Sequence, residues 1–253
     1  MGKSARQKKW LFVGLVITGI AAAGPARASA AAISLYVEPS KIYPNTANNP
    51  CIFYGPGNCS SDPSGWYDPA GPTGSGGDGE FSLTQLITPM TEWNSVVGSQ
   101  FVIGLDANQD KDAQILRSFD IYFNDSSTAA YSYTGPTDIP TTNNGVGFAD
   151  YVLAAGCLAV EDVPDSAFDR CTSFLPFVAP AGTTSITFQT SYFGNDGSDK
   201  FFALVEQCPE GGGDCSPIPF PDPEPLGEVP EPASLLLLGT GLMGLAIWGR
   251  ARR

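Results

Sequence analysis

Between two apolar ends, the chain alternates. Phe119, Ile121 and Phe123 are interleaved with Asp120 and Tyr122, and Ile186 and Phe188 with Thr187 and Gln189. A period of two puts one set of side chains on each face of a half-buried strand. Runs of this β-rich character cover residues 80–87, 96–105, 116–124, 129–133, 146–153, 185–193 and 200–207. Turn formers separate them: Asn124-Asp125-Ser126-Ser127, Asn143-Asn144-Gly145 and Asn195-Asp196-Gly197-Ser198. Asn, Asp and Gly tolerate the backbone angles that tight turns require. No part of the middle region shows the apolar spacing of a helix. Many short strands with such punctuation predict an all-β fold, an antiparallel β-sandwich of jelly-roll-like type.

The two ends have a different pattern. Residues 233–249 carry no charge, with Ser234 and Thr240 as their polar side chains. At about 1.5 Å per residue, such a helix reaches about 25 Å, the short end of a bilayer crossing. Trp248 stands at the interface position, and Arg250, Arg252 and Arg253 form a stop-transfer cluster that favours the cytoplasmic side. A buried core helix is the rival, but core helices are rarely apolar all round. Ahead of the helix, Pro230 and Pro232 hold Val229-Pro230-Glu231-Pro232 extended. An exposed extended peptide is a shape that a processing enzyme binds as a strand. At the other end, Lys3, Arg6, Lys8 and Lys9 precede an apolar run over 10–23 and an Ala28-Ser29-Ala30 cleavage site. That is the layout of a secretory signal peptide, a substrate of signal peptidase. The run is short for an uncleaved anchor.

The order of parts in the tail is specific. Val229-Pro230-Glu231-Pro232, the apolar helix and Arg250-Ala251-Arg252-Arg253 together resemble the PEP-CTERM sorting domain. The resemblance implies handling by an exosortase, a membrane-embedded, cysteine transpeptidase-like enzyme of Gram-negative bacteria that make extracellular polysaccharide. It implies cleavage at or near Val229 to Pro232 and release of the helix. The route is then an inner-membrane intermediate followed by the cell surface or extracellular matrix. The resemblance covers the tail alone and speaks of delivery, not of what the delivered body does.

The predicted layout has four parts: a signal peptide (1–30), an extracellular β-sandwich (31–215), a Pro-rich stalk (216–228) and the sorting tail (229–253). Within the body, residues 45–79 are rich in Pro, Gly, Ser and Asn and read as a long surface loop. Its Tyr54, Trp66 and Tyr67 are expected near the surface. The stalk spaces Pro217, Pro219, Pro221, Pro223 and Pro225 evenly, which predicts polyproline geometry at roughly 3.1 Å per residue.

Charge and cysteine narrow the chemistry. Apart from the targeting charges of the two ends, the basic residues are Lys41, Lys111, Arg117, Arg170 and Lys200, against all 26 acidic residues, which lie between Glu38 and Glu231. Nucleic acid is excluded as a partner, because phosphate binding needs a basic face. An acidic surface stays soluble and attracts cations, and it meets anionic polysaccharide only through bridging ions. The six cysteines belong to an oxidising compartment. Spacing favours the local pairs Cys51 with Cys59, Cys157 with Cys171, and Cys208 with Cys215, although six cysteines allow 15 connectivities. The chain has no His and no Cys-x-x-Cys, so a zinc site is a poor alternative.

The absence of His also removes Ser-His-Asp and Cys-His nucleophilic systems. Glu80, Glu92, Glu161 and Asp162 are the candidates for a glycosidase pair, which needs two carboxyls about 5–9 Å apart. Nothing in their spacing brings two of them together. Trp66, Tyr67 and Trp93 form either a sugar-stacking platform or part of the core. The most suggestive loop is 106–112, where Asp106, Asn108, Asp110 and Asp112 alternate as hard oxygen donors for calcium. It resembles the front of an EF-hand loop, but Lys111 replaces the turn Gly and Arg117 the bidentate Glu. A polar hairpin turn is the plainer reading. Asn195-Asp196-Gly197-Ser198-Asp199 is a second loop of this kind. The expected function is non-enzymatic: a structural or adhesive component of the surface or polysaccharide matrix. A calcium-assisted carbohydrate-binding module is the alternative, and a carboxylate glycosidase the third. No cofactor is expected beyond calcium in that alternative.

Overall fold

The computed structural model describes residues 29–55, 59, 62–63, 66–71, 79–107, 114–140, 147–164, 166–194, 199–207 and 215–221. The predicted leader apart from its last residues, the apolar tail helix, the sorting motif and the Arg cluster lie outside the described residues. Among the described residues, no helix is long and apolar enough to cross a membrane.

Among the described residues, the regular structure is almost entirely strand. The first four are β1 (Ala31–Ala32), β2 (Ser34–Val37), β3 (Cys51–Tyr54) and β4 (Gly79–Ile87). A single helical turn, α1 (Thr91–Val96), follows, then β5 (Gln100–Asp106), β6 (Gln114–Phe123), β7 (Tyr131–Ile139) and β8 (Tyr151–Ala154). Next come β9 (Gly156–Glu161), β10 (Arg170–Leu175), β11 (Phe177–Val178) and β12 (Ile186–Gly194). The last are β13 (Lys200–Leu204), β14 (Glu206–Gln207) and β15 (Ser216–Pro217). One five-stranded sheet orders β1-β7-β6-β12-β4, and one six-stranded sheet orders β2-β8-β5-β13-β3 with β11 beside β5. Among the described strands, the short β1–β7 pair is parallel and the other strand pairs are antiparallel, with an isolated parallel bridge between Phe53 and Ala70. Strands β3 to β6 alternate between the sheets, as do β12 and β13.

The period-two pattern sets which faces meet. On β6, Phe119, Ile121 and Phe123 are buried; on β12, Ile186, Phe188, Thr190 and Tyr192 are. They face Phe53, Phe101, Ile103, Leu105 and Phe201 of the other sheet in one hydrophobic cluster. Aromatic edges and faces join the layers: Phe53 to Phe119 at 6.1 Å, Phe119 to Phe201 at 5.4 Å, Phe101 to Phe188 at 6.1 Å and Tyr192 to Phe201 at 5.4 Å. Such offset and edge contacts suit the ring quadrupole and each add about 0.5–1.5 kcal/mol beyond area burial.

The six-stranded sheet is buried on its second face as well. Val102, Val152, Ala154, Phe202 and Leu204 pack there with Tyr43, Phe174 and Ile218. This explains why β5, β8 and β13 read as continuous apolar runs instead of alternating. The cover comes partly from the start of the Pro-rich segment. β15 pairs with β14, Ile218 is buried and Phe220 packs against the cluster, so residues 216–220 are part of the folded body. Residues 222–228 lie outside the described residues.

Four sequence expectations need correction. A helix exists: α1 buries Trp93 completely and closes with the Val97 and Gly98 N–H groups donating to Trp93 O. One turn is too short to show helical periodicity. The expected strand over 96–105 therefore starts only at Gln100. The expected surface loop over 45–79 contains β3, a buried strand of the large sheet, because Cys51-Ile52-Phe53-Tyr54 is too short a run to stand out among turn residues. Finally, the strand expected over 129–133 runs further, with β7 continuing through Gly135 and Pro136 to Ile139. Beyond Ser132 no described strand pairs with its outer side, so the missing Pro N–H breaks no ladder.

Among the described residues, Cys51 is bonded to Cys59 and Cys157 to Cys171. The first joins β3 to the segment after it; the second ties β9 to β10 across a two-stranded sheet. Cys215 is also disulfide-bonded. Cys208 lies outside the described residues.

Candidate functional site

The most polar part of the interior lies at one end of the sandwich, where β5, β6, β12 and β13 begin or stop. Asp106 ends β5, Gln114 opens β6, Asp150 precedes β8, Asp199 precedes β13 and Lys200 opens it. The three Asp residues are each 1% exposed, Gln114 is fully buried and Lys200 nearly so. Lys200 is the cross-strand neighbour of Asp106. Backbone and amide donors fix the carboxylates. The Gly147 N–H donates to Asp106 Oδ2 at 2.7 Å, and the Ala107 N–H to Asp150 Oδ2 at 2.8 Å. Gln114 Nε2 donates to Asp199 Oδ1 at 2.7 Å, joining the two sheets at this end. Gly194 leaves room for that carboxylate: a Cβ there would lie 2.5 Å from Asp199 Oδ2.

This end is electrostatically tense. Burial raises the Asp106 carboxyl to about 8; the charges of Asp150 and Asp199 push the same way, and the Gly147 N–H and Lys200 pull it down. Tyr192 is driven well above the ordinary phenol range, first by burial and then by Asp199, Asp150 and Asp106. Among the described residues, Asp106 Oδ1, Gln114 Oε1 and the Tyr192 hydroxyl have no hydrogen-bond partner.

The predicted calcium residues are thus divided. Asp106 sits in this buried end, while Asn108, Asp110 and Asp112 lie outside the described residues. Of the second loop, only Asp199 is described, and it joins the same end. Sequence reading missed Asp150 and Gln114. Asp150 sits inside an apolar run, and Gln114 opens a strand whose residues are otherwise read for their core face. Among the described residues, no three Asp, Glu or Cys side chains are grouped to hold a metal ion.

The carboxylates considered for glycosidase chemistry are dispersed. Glu80 on β4 meets Arg117 on β6, at 3.3 Å, on an exposed face. Glu161 on β9 meets Arg170, which also reaches the buried Glu38 at 3.6 Å. Glu92 lies on the exposed side of α1, and Asp162 follows β9 on the surface. The aromatic trio belongs to the core. Trp93 is fully buried, Trp66 stacks on it at 6.0 Å, and Tyr67 meets Trp66 edge-on. Trp66 Nε1 donates to Cys51 O at 2.9 Å and the Tyr67 hydroxyl to Pro89 O, so both polar tips are occupied. Tyr54 is half-buried, its ring lying where a side chain on Gly71 would have to be.

The remaining predicted site is the tail: Val229, Pro230, Glu231, Pro232, Arg250, Arg252 and Arg253, all outside the described residues. The folded body reaches Phe220, so eight residues, 221–228, separate it from the motif, a reach of about 30 Å if fully extended. Comparison with known proteins bears on this segment. Residues 228–253 match the family model of the PEP-CTERM protein-sorting motif. No curated protein and no solved structure matches the chain. The chain therefore carries a PEP-CTERM protein-sorting motif over residues 228–253, and that motif implies export and sorting to the cell surface by an exosortase system.

Proposed function

We propose that this chain is an exported structural or adhesive component of the cell surface or extracellular polysaccharide matrix, with no enzymatic role. The PEP-CTERM match at residues 228–253 carries this reading. In it, signal peptidase removes residues 1–30, the apolar segment after Pro232 holds the chain in the inner membrane, and an exosortase cleaves at or near Val229 to Pro232. Before cleavage, the Arg cluster keeps the C-terminus cytoplasmic. The body delivered is a jelly-roll-like sandwich. Its interleaved sheets, disulfides and doubly covered central strands suit a protein that must persist outside the cell.

Intact-mass and C-terminal peptide analysis of surface and medium fractions tests the reading. A chain running from near Ala31 and ending between Val229 and Pro232 supports it. A chain that retains Arg253 in the membrane overturns the sorting step.

One observation favours a second reading, a carbohydrate-binding module. Across the outer face of the five-stranded sheet, Thr84, Gln189, Asp120 and Ser132 are register partners in a single row. The next row places Leu86, Thr187 and Tyr122 side by side. Hydrogen-bonding groups beside an aromatic ring suit a sugar chain laid across the strands. Titration with soluble polysaccharides, with and without EDTA, tests it; no binding in either condition removes it.

A further inference from the structure

We propose that the open edge of strand β4 pairs antiparallel with β4 of a second copy of this chain, joining the two five-stranded sheets into one continuous sheet. This goes beyond the delivery reading and does not rest on it.

The two large sheets end in four edge strands, and three of these are blunted. At β2, the Val37 N–H donates to Asp169 O at 3.0 Å. At β3, the Tyr54 N–H donates to Ala70 O at 3.1 Å and the Ala70 N–H to Ile52 O at 3.2 Å. At β7, β1 covers Tyr131 and Ser132, and further along Pro136 has no N–H to offer. Unpaired backbone groups template the addition of a strand, and edges are blocked in these ways to prevent it. β4 is treated differently. Among the described residues it pairs with β12 and with no other strand. That pairing runs from Gly79 to Ile87 without a register shift, so the edge is long and regular. From Phe81 to Ile87 it has no charge, no Pro and no Gly.

Alternation along β12 shows which backbone groups of β4 are turned outward. Ser185 O accepts from the Asn124 N–H, on the β6 side. Successive residues of an antiparallel strand bond to opposite neighbours, so Thr187 and Gln189 bond toward β6 and the even-numbered residues of β12 toward β4. The partners of Ile186, Phe188, Thr190 and Tyr192 are Ile87, Gln85, Leu83 and Phe81. The N–H and C=O groups of Glu80, Ser82, Thr84 and Leu86 therefore point away from the sheet. Their side chains are exposed as well.

This edge is self-complementary. A two-fold axis at Leu83 sets Ser82 opposite Thr84, and Glu80 opposite Leu86, of the other copy. Every outward residue of both edges then has a facing partner with which to exchange N–H···O=C bonds. At the axis Leu83 meets its own counterpart, and pairing covers more of the half-buried Leu83 and Phe81. Charge agrees with this arrangement. The one carboxylate of the edge, Glu80, is held by Arg117 at 3.3 Å. Antiparallel pairing keeps the two copies of Glu80 six residues apart along the strands, about 20 Å, whereas parallel pairing in register would stack them. The chain's own Pro-rich segment cannot take this place. Its Pro217, Pro219, Pro221, Pro223 and Pro225 remove the donor at every second residue, which is one whole side of a strand.

The test is sedimentation velocity of the full-length chain in mild detergent over a concentration series. The expected result is a monomer–dimer equilibrium with a Kd of roughly 10⁻⁶ to 10⁻⁴ M, as suits a small interface. Thr84→Pro removes an outward N–H and spares the ladder to β12, so it weakens the dimer at least tenfold with the near-ultraviolet circular dichroism of the fold retained. Leu83→Cys gives an intermolecular disulfide on mild oxidation, because its counterpart lies across the axis; Glu80→Cys, about 20 Å from its own, does not. A chain that stays monomeric up to about 1 mM overturns the proposal, given that Kd range. So does a dimer that Thr84→Pro leaves intact, as association through the apolar tail would be, or cross-linking of Glu80→Cys as readily as Leu83→Cys. Should Thr84→Pro fail to fold, Ser82→Lys with Thr84→Lys decides, since it sets like charges opposite each other across the axis. An unweakened dimer in that variant is refutation.

Discussion

Gly135→Ala adds one methyl group in the middle of a strand, and the structure sets its consequence. A Cβ at this position would lie 2.2 Å from Leu116 O and 2.8 Å from Thr137 N. Carbon and carbonyl oxygen normally stay about 3.3 Å apart, so the overlap is about 1 Å against backbone that no rotamer change can move. Overpacking of this kind costs about 1–3 kcal/mol. The position faces the register shift between Leu116 and Ser118, and beyond it β6 and β7 pair at Leu116–Thr137, Ile115–Asp138 and Gln114–Ile139. Relief by parting that end of the ladder gives up part of its hydrogen bonding, at about 1 kcal/mol per bond. The expected total is about 2–4 kcal/mol. Urea unfolding of the oxidised protein, followed by fluorescence of the buried Trp93, would read it as a midpoint about 1–2 M lower. Gly98→Ala is the comparison. Nothing lies within 4 Å of a Cβ there, but φ is +78°, so only the left-handed backbone is penalised, at about 1 kcal/mol. A Gly135→Ala protein within 0.5 kcal/mol of the parent, or less affected than Gly98→Ala, would show that the close approach of β6 and β7 at this point is wrong.

Tyr43, Tyr151 and Tyr192 are all raised above the ordinary phenol range, chiefly by burial. A raised pKa favours the neutral form in the folded state, so their contribution is intact below about pH 10 and is lost as pH rises above it, at about 1.4 kcal/mol per pH unit for each. Phenolate absorbance should therefore appear for these three together with loss of near-ultraviolet circular dichroism; gradual titration near pH 10 with the fold retained contradicts it. Replacing Cys157 and Cys171 together by Ser removes a bridge with a sequence separation of 14 and should cost about 3 kcal/mol in thermal unfolding. Phe188→Ala opens the aromatic centre between the sheets, where Trp93, Phe101 and Phe119 surround it, and should cost about 3–5 kcal/mol. Leu158→Ala, at a residue 61% exposed, should change stability by under about 0.5 kcal/mol, and a ranking in the opposite order refutes the assigned faces.

The all-β class could be read from the sequence because strands β6 and β12 have one dry face and one wet face. Alternation in Phe119 to Phe123 and Ile186 to Gln189 records that difference residue by residue. The sorting tail could be read for a similar reason: its Pro motif, apolar run and Arg cluster are contiguous in sequence, with no distant partner needed to recognise them. The Cys51–Cys59 and Cys157–Cys171 bridges join cysteines close in sequence, as loop entropy favours.

What the sequence could not determine depends on distant contacts. Residues 51–54 look like part of a loop until β13 pairs with them, and residues 216–220 look like a stalk until Ile218 meets the outer face of the large sheet. Trp93 stabilises one helical turn only because Phe101 and Phe188 form its pocket. The buried end is the clearest case. Asp106, Gln114, Asp150 and Asp199 are ordinary turn and strand-end residues along the chain, and only antiparallel register and the facing of two sheets bring them out of water together. Periodicity reports how each residue meets solvent through its own strand, whereas burial of a strand end is decided by what the other strands place over it.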